Sequence, residues 1–226
     1  MDSRILSIGT LAQHPLWDEK SSVRTPHATT TLVRSDDMVM LVNPALPATV
    51  LQARLSERCG LEASDVTHVF LTSFLPDHRL GLELFGAAQW LVSEVERESI
   101  GVLLIEQYQQ AEQEEEADLA QGLKRDIALL QRCLPAPDQF AAHVDLFPLP
   151  GHTPGTTGLI LSYPQYTTVI TGDAVPTIEH FEAGQVLSGC YDLEKARASF
   201  SEVMEIADVV VPGRDNMFLN MTRGLF

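Results

Sequence analysis

Pro150-Gly151-His152-Thr153-Pro154-Gly155 follows the short apolar run at 144–147 and leads into another at 158–162. An imidazole framed by two glycines and two prolines reads as a stiff turn that presents one polar side chain at a sheet end. Three other loops repeat the arrangement. Ser73-Phe74-Leu75-Pro76-Asp77-His78 follows the run at 68–72, Thr171-Gly172-Asp173-Ala174 closes 167–171, and Pro212-Gly213-Arg214-Asp215-Asn216 follows 209–211. Each loop alone is weak, since neighbouring Asp and His arise often by chance. Four of them after four short apolar strands form a pattern, because a rigid sheet can bring such loop bases together.

Outward from these loops, the N-terminal part reads as strands at 4–10, 29–34 and 38–43, with Ser35-Asp36-Asp37 as a hairpin turn. Residues 48–58 read as a helix that Cys59-Gly60 stops. From 92 to 133 the period changes: Ile105, Tyr108, Ala111, Leu119, Leu123, Ile127, Leu130 and Leu134 recur at helical steps. The acidic stretch 112–118 reads as a solvated helix face or a junction between two helices, and in third place as a partner-binding surface. Residues 192–206 form the last helix, with Asp192 as its N-cap. Strands, a helical block, strands and a final helix predict an α/β layered fold. The expectation is one domain over 1–226 with a helical insertion at about 93–134.

Composition narrows the function classes. Hydrophobic residues make up 45% of 226, enough for a sizeable core. The net charge of −16, from 15 Lys+Arg against 31 Asp+Glu, argues against nucleic acid and against anionic membrane surfaces. Cys59, Cys133 and Cys190 are scattered and show no C-x-x-C, so neither a disulfide framework nor a cysteine zinc site is expected. The opening MDSRILSIGT lacks the marks of a leader, and no window approaches 18 apolar residues. A cytoplasmic protein is expected. G-x-S-x-G, P-loop and G-x-G-x-x-G motifs are absent from the sequence.

In order and context, the four loops resemble the metallo-β-lactamase superfamily, in particular its lactonase-like and glyoxalase II-like hydrolases. Its signature is T-H-x-H-x-D-H, then G-H-T-P-G, T-G-D and a terminal P-G-H. Leu71-Thr72, Asp77-His78 and Gly81 keep the first frame, residues 151–155 the second, Thr171-Gly172-Asp173 the third, and Pro212-Gly213 the last. The resemblance implies a four-layer αβ/βα sandwich with metals bound at one edge between two sheets.

Of the seven ligand positions that the resemblance implies, Asp77, His78, His152 and Asp173 are kept. Ser73, Leu75 and Arg214 stand at the other three, and Asn43 replaces a supporting Asp. One metal position retains only His152. Leucine has no lone pair and serine is shorter than an imidazole, so this position is expected to be empty. The other retains Asp77, His78 and Asp173, and His152 is near enough in the frame to join them. Such a set suits one zinc, iron or manganese ion.

Arg214 opposes that ion, because a guanidinium has donors only. It either turns inward to pair with Asp77 or Asp173, or points outward and leaves the site free. His180, seven residues past Asp173, is a further candidate for the pocket, though a partly exposed histidine on a short helix is the plainer reading. His27 faces either the pocket or solvent. His14, His68 and His143 read as structural; Asp215 is placed to reach the site where Arg214 does not, though a turn role for Asp215-Asn216 is the plainer reading.

Two functions follow. The leading one is a single-metal hydrolase of a small ester, lactone, thioester or amide, with Asp77 as the catalytic residue that orients the water or accepts its proton. The alternative is a non-catalytic, metal-free descendant that binds a small ligand or a partner protein, with Arg214 and His152 gripping an anion. The insertion at 93–134 is a candidate homodimer surface or lid.

Overall fold

The hairpin read at 35–37 forms as expected. β2 (Thr30–Ser35) and β3 (Met38–Val42) pair antiparallel around Asp36, whose φ of 50° is the left-handed conformation that Asp tolerates in turns. The structure, a computed structural model, describes residues 1–223; the last three positions of the expected 1–226 span lie outside the described residues. β1 (Asp2–Ser7) begins earlier than the 4–10 run because Asp2 pairs with Arg34 of β2, and ends earlier because Gly9 donates its N–H to Thr29 Oγ1 at 3.0 Å.

Two six-stranded sheets result. The first has the order β1-β2-β3-β4-β5-β6, completed by β4 (His68–Leu71), β5 (Gln89–Val92) and β6 (Leu134–Pro135). Its strands from β3 to β6 pair parallel. The second has the order β12-β11-β10-β9-β8-β7. Its members are β7 (Gln139–Ala141), β8 (Val144–Pro148), β9 (Thr157–Ser162), β10 (Thr167–Gly172), β11 (Val209–Pro212) and β12 (Phe218–Leu219). Sequence reading misses β5, β6, β7 and β12. Each has four residues or fewer, too short for an alternation to register.

Five helices cover the outer faces: α1 (Ala48–Cys59), α2 (Glu94–Gln113), α3 (Ala117–Arg132), α4 (Ile178–Ala183) and α5 (Leu193–Ile206). Three apolar clusters define the four layers. Leu51 and Leu55 of α1, Leu104 of α2 and Leu123 and Leu130 of α3 pack with Leu41, Val69 and Leu71 of the first sheet. Between the sheets, Met40, Val42 and Phe70 meet Leu159, Leu161, Ile170 and Val211. Outside the second sheet, Phe181 of α4 and Phe200 and Val203 of α5 cover Val169 and Val210. Each fully buried side chain of this size contributes roughly 1.5–3 kcal/mol.

The segment read as an insertion folds as α2 and α3, and the acidic stretch is their junction, where Glu115 takes a φ of 58°. Val95, Val102, Leu103, Ile105 and Leu119 remain exposed on this hairpin. Among the described residues no helix is long and apolar enough to cross a membrane.

Candidate functional site

The four loops converge at one end of the sandwich. A short 3-10 turn at Pro76–His78 follows β4 and carries Asp77 and His78; Asp173 follows β10; Arg214 lies just past β11. Because β10 and β11 run parallel, Asp173 and Arg214 leave the same sheet edge. Gly213 permits the close approach. A Cβ there would stand 2.6 Å from Asp173 Oδ1, so any side chain would displace that carboxylate. Gly172 has a φ of 53° and abuts Thr72 in the same way.

Arg214 points inward. Its Nε donates to Asp173 Oδ1 and its Nη2 to Asp173 Oδ2, both at 2.7 Å, and its Nη1 donates to Asp77 Oδ2. Nη2 also lies 3.0 Å from His78 Nε2, which is itself 2.9 Å from Asp173 Oδ2. His152 stands one step further out, with Nε2 3.5 Å from Asp173 Oδ2. The Asp173 side chain is fully buried, that of Arg214 nearly so, and that of Asp77 27% exposed.

Burial by itself raises the pKa of Asp173, but the Arg214 guanidinium and His78 outweigh it and hold the carboxyl well below its usual range. Burial likewise works against the charge on Arg214, and Asp173 and Asp77 overcome it, moving its pKa upward. Two-point hydrogen bonding by a planar guanidinium is the strongest arrangement available to such a pair.

Behind His78, a polar chain reaches the first sheet. Its Nδ1 lies 3.2 Å from Thr72 Oγ1, and Asn43 accepts the Thr72 N–H and donates to Thr72 Oγ1, each at 2.9 Å. Ser73 is fully buried, with Oγ 3.5 Å from His78 Nδ1, while Leu75 sits half-buried at the rim. Among the described residues, no group of three or more His, Cys, Asp or Glu side chains is arranged to hold a metal ion.

The remaining candidates separate. His180 sits on α4, a short helix as expected, but it is buried rather than partly exposed, with Nδ1 2.9 Å from Thr177 Oγ1; His14 lies 5.2 Å away, stacked on Trp17. Burial and the neighbouring His14 lower the pKa of His180 to about 4 against the opposing pull of Glu179. His27 turns its two ring nitrogens to the carbonyls of Thr25 and Ile8. Asp215 serves the turn, accepting from the N–H groups of Asn216 and Ile178. The anion grip expected of Arg214 is corrected: all three of its nitrogens already face Asp77, His78 or Asp173.

Two residues that sequence reading passes over belong here. Glu96 of α2, with no exposed surface, accepts from Phe74 N, Thr153 Oγ1 and Gly155 N, which ties two of the site loops together. Cys190 brings Sγ to 4.0 Å from His152 Nδ1, and burial followed by the Asp173 charge raises its pKa. Nothing local in the sequence marks Cys190, since its loop is placed by backbone bonds to residues almost forty positions earlier. A groove of about 490 Å³ lined by Ser3, Tyr163, Tyr166 and Asp208 lies at the far ends of the strands, away from these groups.

Solved structures share the fold. AidC, a dizinc quorum-quenching lactonase solved with a product, is 21% identical over 79% of this chain and 67% of its own, with a TM-score of 0.62. A Thermotoga maritima protein assigned to the metallo-beta-lactamases is 18% identical over 96% and 98%, at 0.69. A single-residue mutant of B. thuringiensis AiiA, with N-decanoyl-L-homoserine bound at its active site, is 20% identical over 86% of each chain, at 0.59. No curated protein matches. The model of one family covers residues 24–211, which hold Asp77, His78, His152 and Asp173 and the strands from β2 to β10, so the chain belongs to the metallo-beta-lactamase superfamily.

Proposed function

We propose that this protein is a metal-independent member of its superfamily that binds a small molecule at the rim marked by His152, with Arg214 carrying the positive charge at its centre. One observation carries the reading: the guanidinium lies in the space enclosed by Asp77, His78 and Asp173 and bonds both carboxylates. A zinc ion sits about 2.0–2.2 Å from its oxygen and nitrogen ligands, which is the same space. Arginine offers no lone pair, so it cannot join a coordination shell, and its charge repels a cation.

Ser73 and Leu75 remove two further donors from the adjacent position. The residues present therefore do not fit a metal ion. The single-metal hydrolase with Asp77 as catalytic residue requires Arg214 to leave both carboxylates, and nothing in its surroundings draws it elsewhere. The product held by AidC and the ligand at the active site of AiiA support a small molecule as the ligand of this chain.

Protein purified without chelators or nickel resin, then assayed for bound metal, tests the proposal. The expected result is substoichiometric metal and a melting temperature unmoved by added zinc, since a ligand selective for the native state raises stability. Stoichiometric zinc, iron or manganese that Asp77→Asn abolishes would overturn it.

A further inference from the structure

At the outer edge of the Arg214 network, three groups line up. Cys190 Sγ is 4.0 Å from His152 Nδ1, and His152 Nε2 is 3.5 Å from Asp173 Oδ2. Cys190 and His152 are both partly exposed, so a ligand can reach them, whereas Asp173 is buried behind. Backbone bonds hold the facing loops in register: Tyr191 N donates to His152 O at 3.1 Å, and Asp192 N donates to Gly151 O at 3.0 Å. Asp192 then caps α5 through Lys195 N. Cys190 and His152 thus sit on two stitched loops, although 38 residues separate them.

A thiol, an imidazole on the thiol side and a carboxylate on the far side of the ring is the order required of a nucleophile, its proton acceptor and the group that orients the acceptor. We propose that Cys190 is a nucleophilic thiol that accepts acyl groups from small thioesters, with His152 as its proton acceptor and Asp173 as a positioning residue. The inference rests on the metal-free reading above, because a metal ion at Asp173 would claim His152.

Thioesters suit the site for a chemical reason. Exchange of one thiol for another at an acyl carbon is close to balanced, and a thiol leaves without strong acid assistance. The chain's net charge of −16 favours an uncharged or cationic donor over one bearing phosphates.

In the first step a bond forms between Sγ and the acyl carbon, and the thiol proton passes to His152 Nδ1. The bond from that carbon to the leaving sulfur breaks, and the leaving sulfur takes the proton. In a slower second step, water adds to the acyl carbon and gives its proton to His152, so the acyl group accumulates on Cys190. The bond to Cys190 breaks, the acid departs, and the thiol recovers its proton. At rest the thiol donates to Leu187 O at 2.9 Å, so a rotation about the Cys190 side chain precedes attack.

Phenyl thioacetate is the probe, with released thiophenol and intact-chain mass as readouts. The expected result is one acetyl group per chain, mapped to Cys190 and not to Cys59 or Cys133, and lost in Cys190→Ser. His152→Asn should slow the labelling by about 100-fold, the lower end of what a positioned proton acceptor contributes. Labelling of Cys59 as fast as Cys190, or an unchanged rate in His152→Asn, overturns the proposal, and the second arm holds even if Cys190→Ser does not fold. A chelator separates the two readings. Labelling that EDTA abolishes sinks the metal-free reading, whereas an inert Cys190 in metal-free protein sinks the acyl acceptor alone.

Discussion

Arg214 and Asp173 close on each other at two points, Nε to Oδ1 and Nη2 to Oδ2, both at 2.7 Å and both out of reach of water. Taking Arg214 away leaves the buried Asp173 with only His78 and His152 beside it, and taking Asp173 away leaves Arg214 with Asp77 alone. Arg214→Gln should therefore cost about 3–5 kcal/mol, a fall in melting temperature of roughly 10 °C for a chain of this size. Adding Asp173→Asn should return part of the loss, because the orphaned charge disappears with it. Urea unfolding of the two single variants and the double variant measures the coupling. Additive losses would show that the pair does not act as a unit.

How far the sequence discloses this centre depends on the length of each side chain. Asp77, His78, His152 and Asp173 are legible because short side chains on loops at strand ends have few places to go. Arginine is long enough to point either way, and only the packed positions of Asp77 and Asp173 decide. Glu96 is hidden for another reason: it stands three residues after Ser93, the spacing of a helix-capping pair. Ser93 does cap α2, accepting the Glu96 N–H at 3.2 Å, but the Glu96 carboxylate turns away to the loops of Phe74 and Thr153. The three-cluster core is readable as an α/β pattern. Its short strands β5, β6, β7 and β12 are not, since two to four residues are too few for an alternation to register.

Replacing what the family signature lacks should alter the centre in a predictable way. Ser73→His, Leu75→His and Arg214→His together restore three imidazoles around Asp77, His78, His152 and Asp173. If these loops hold the family's frame, the triple variant binds zinc while the parent does not. Titration with a competing chromogenic chelator reads this directly. A triple variant that folds, by circular dichroism, and still binds none would mean that the loop alignment is wrong.

Acid should weaken the fold in two separate windows. The folded pKa of His180, about 4, lies below the ordinary 6.5, so the unfolded chain takes up a proton first. Its contribution is complete above pH 6.5 and declines as the pH falls toward 4. Asp173, also depressed, keeps its contribution down to about pH 4 and loses it below that. In His180→Gln the urea midpoint should change less between pH 6.5 and 4.5 than in the parent, with the lower window unaltered. Parallel curves through the upper window would remove His180 from the account.

Glu96 gives the sharpest separation of charge from shape. Among the described residues its carboxylate has no basic partner, and it is satisfied by three donors: Phe74 N at 2.8 Å, Thr153 Oγ1 at 2.6 Å and Gly155 N at 3.1 Å. Hydrogen bonds to a charged acceptor contribute about 1.5–3 kcal/mol each, and an unmet buried donor costs about 1–3 kcal/mol. Glu96→Ala strands all three donors at once. Glu96→Gln keeps the volume and one oxygen, yet it sets an NH2 group against a donor that needs an acceptor. The amide variant should therefore lose most of what the alanine variant loses, in contrast to a site where only packing matters. Because Glu96 joins the loops that carry Ser73 and His152, both variants should also speed amide hydrogen exchange at Phe74 and Gly155. Near-parental stability of Glu96→Gln would show that volume, not the carboxylate, holds the loops together.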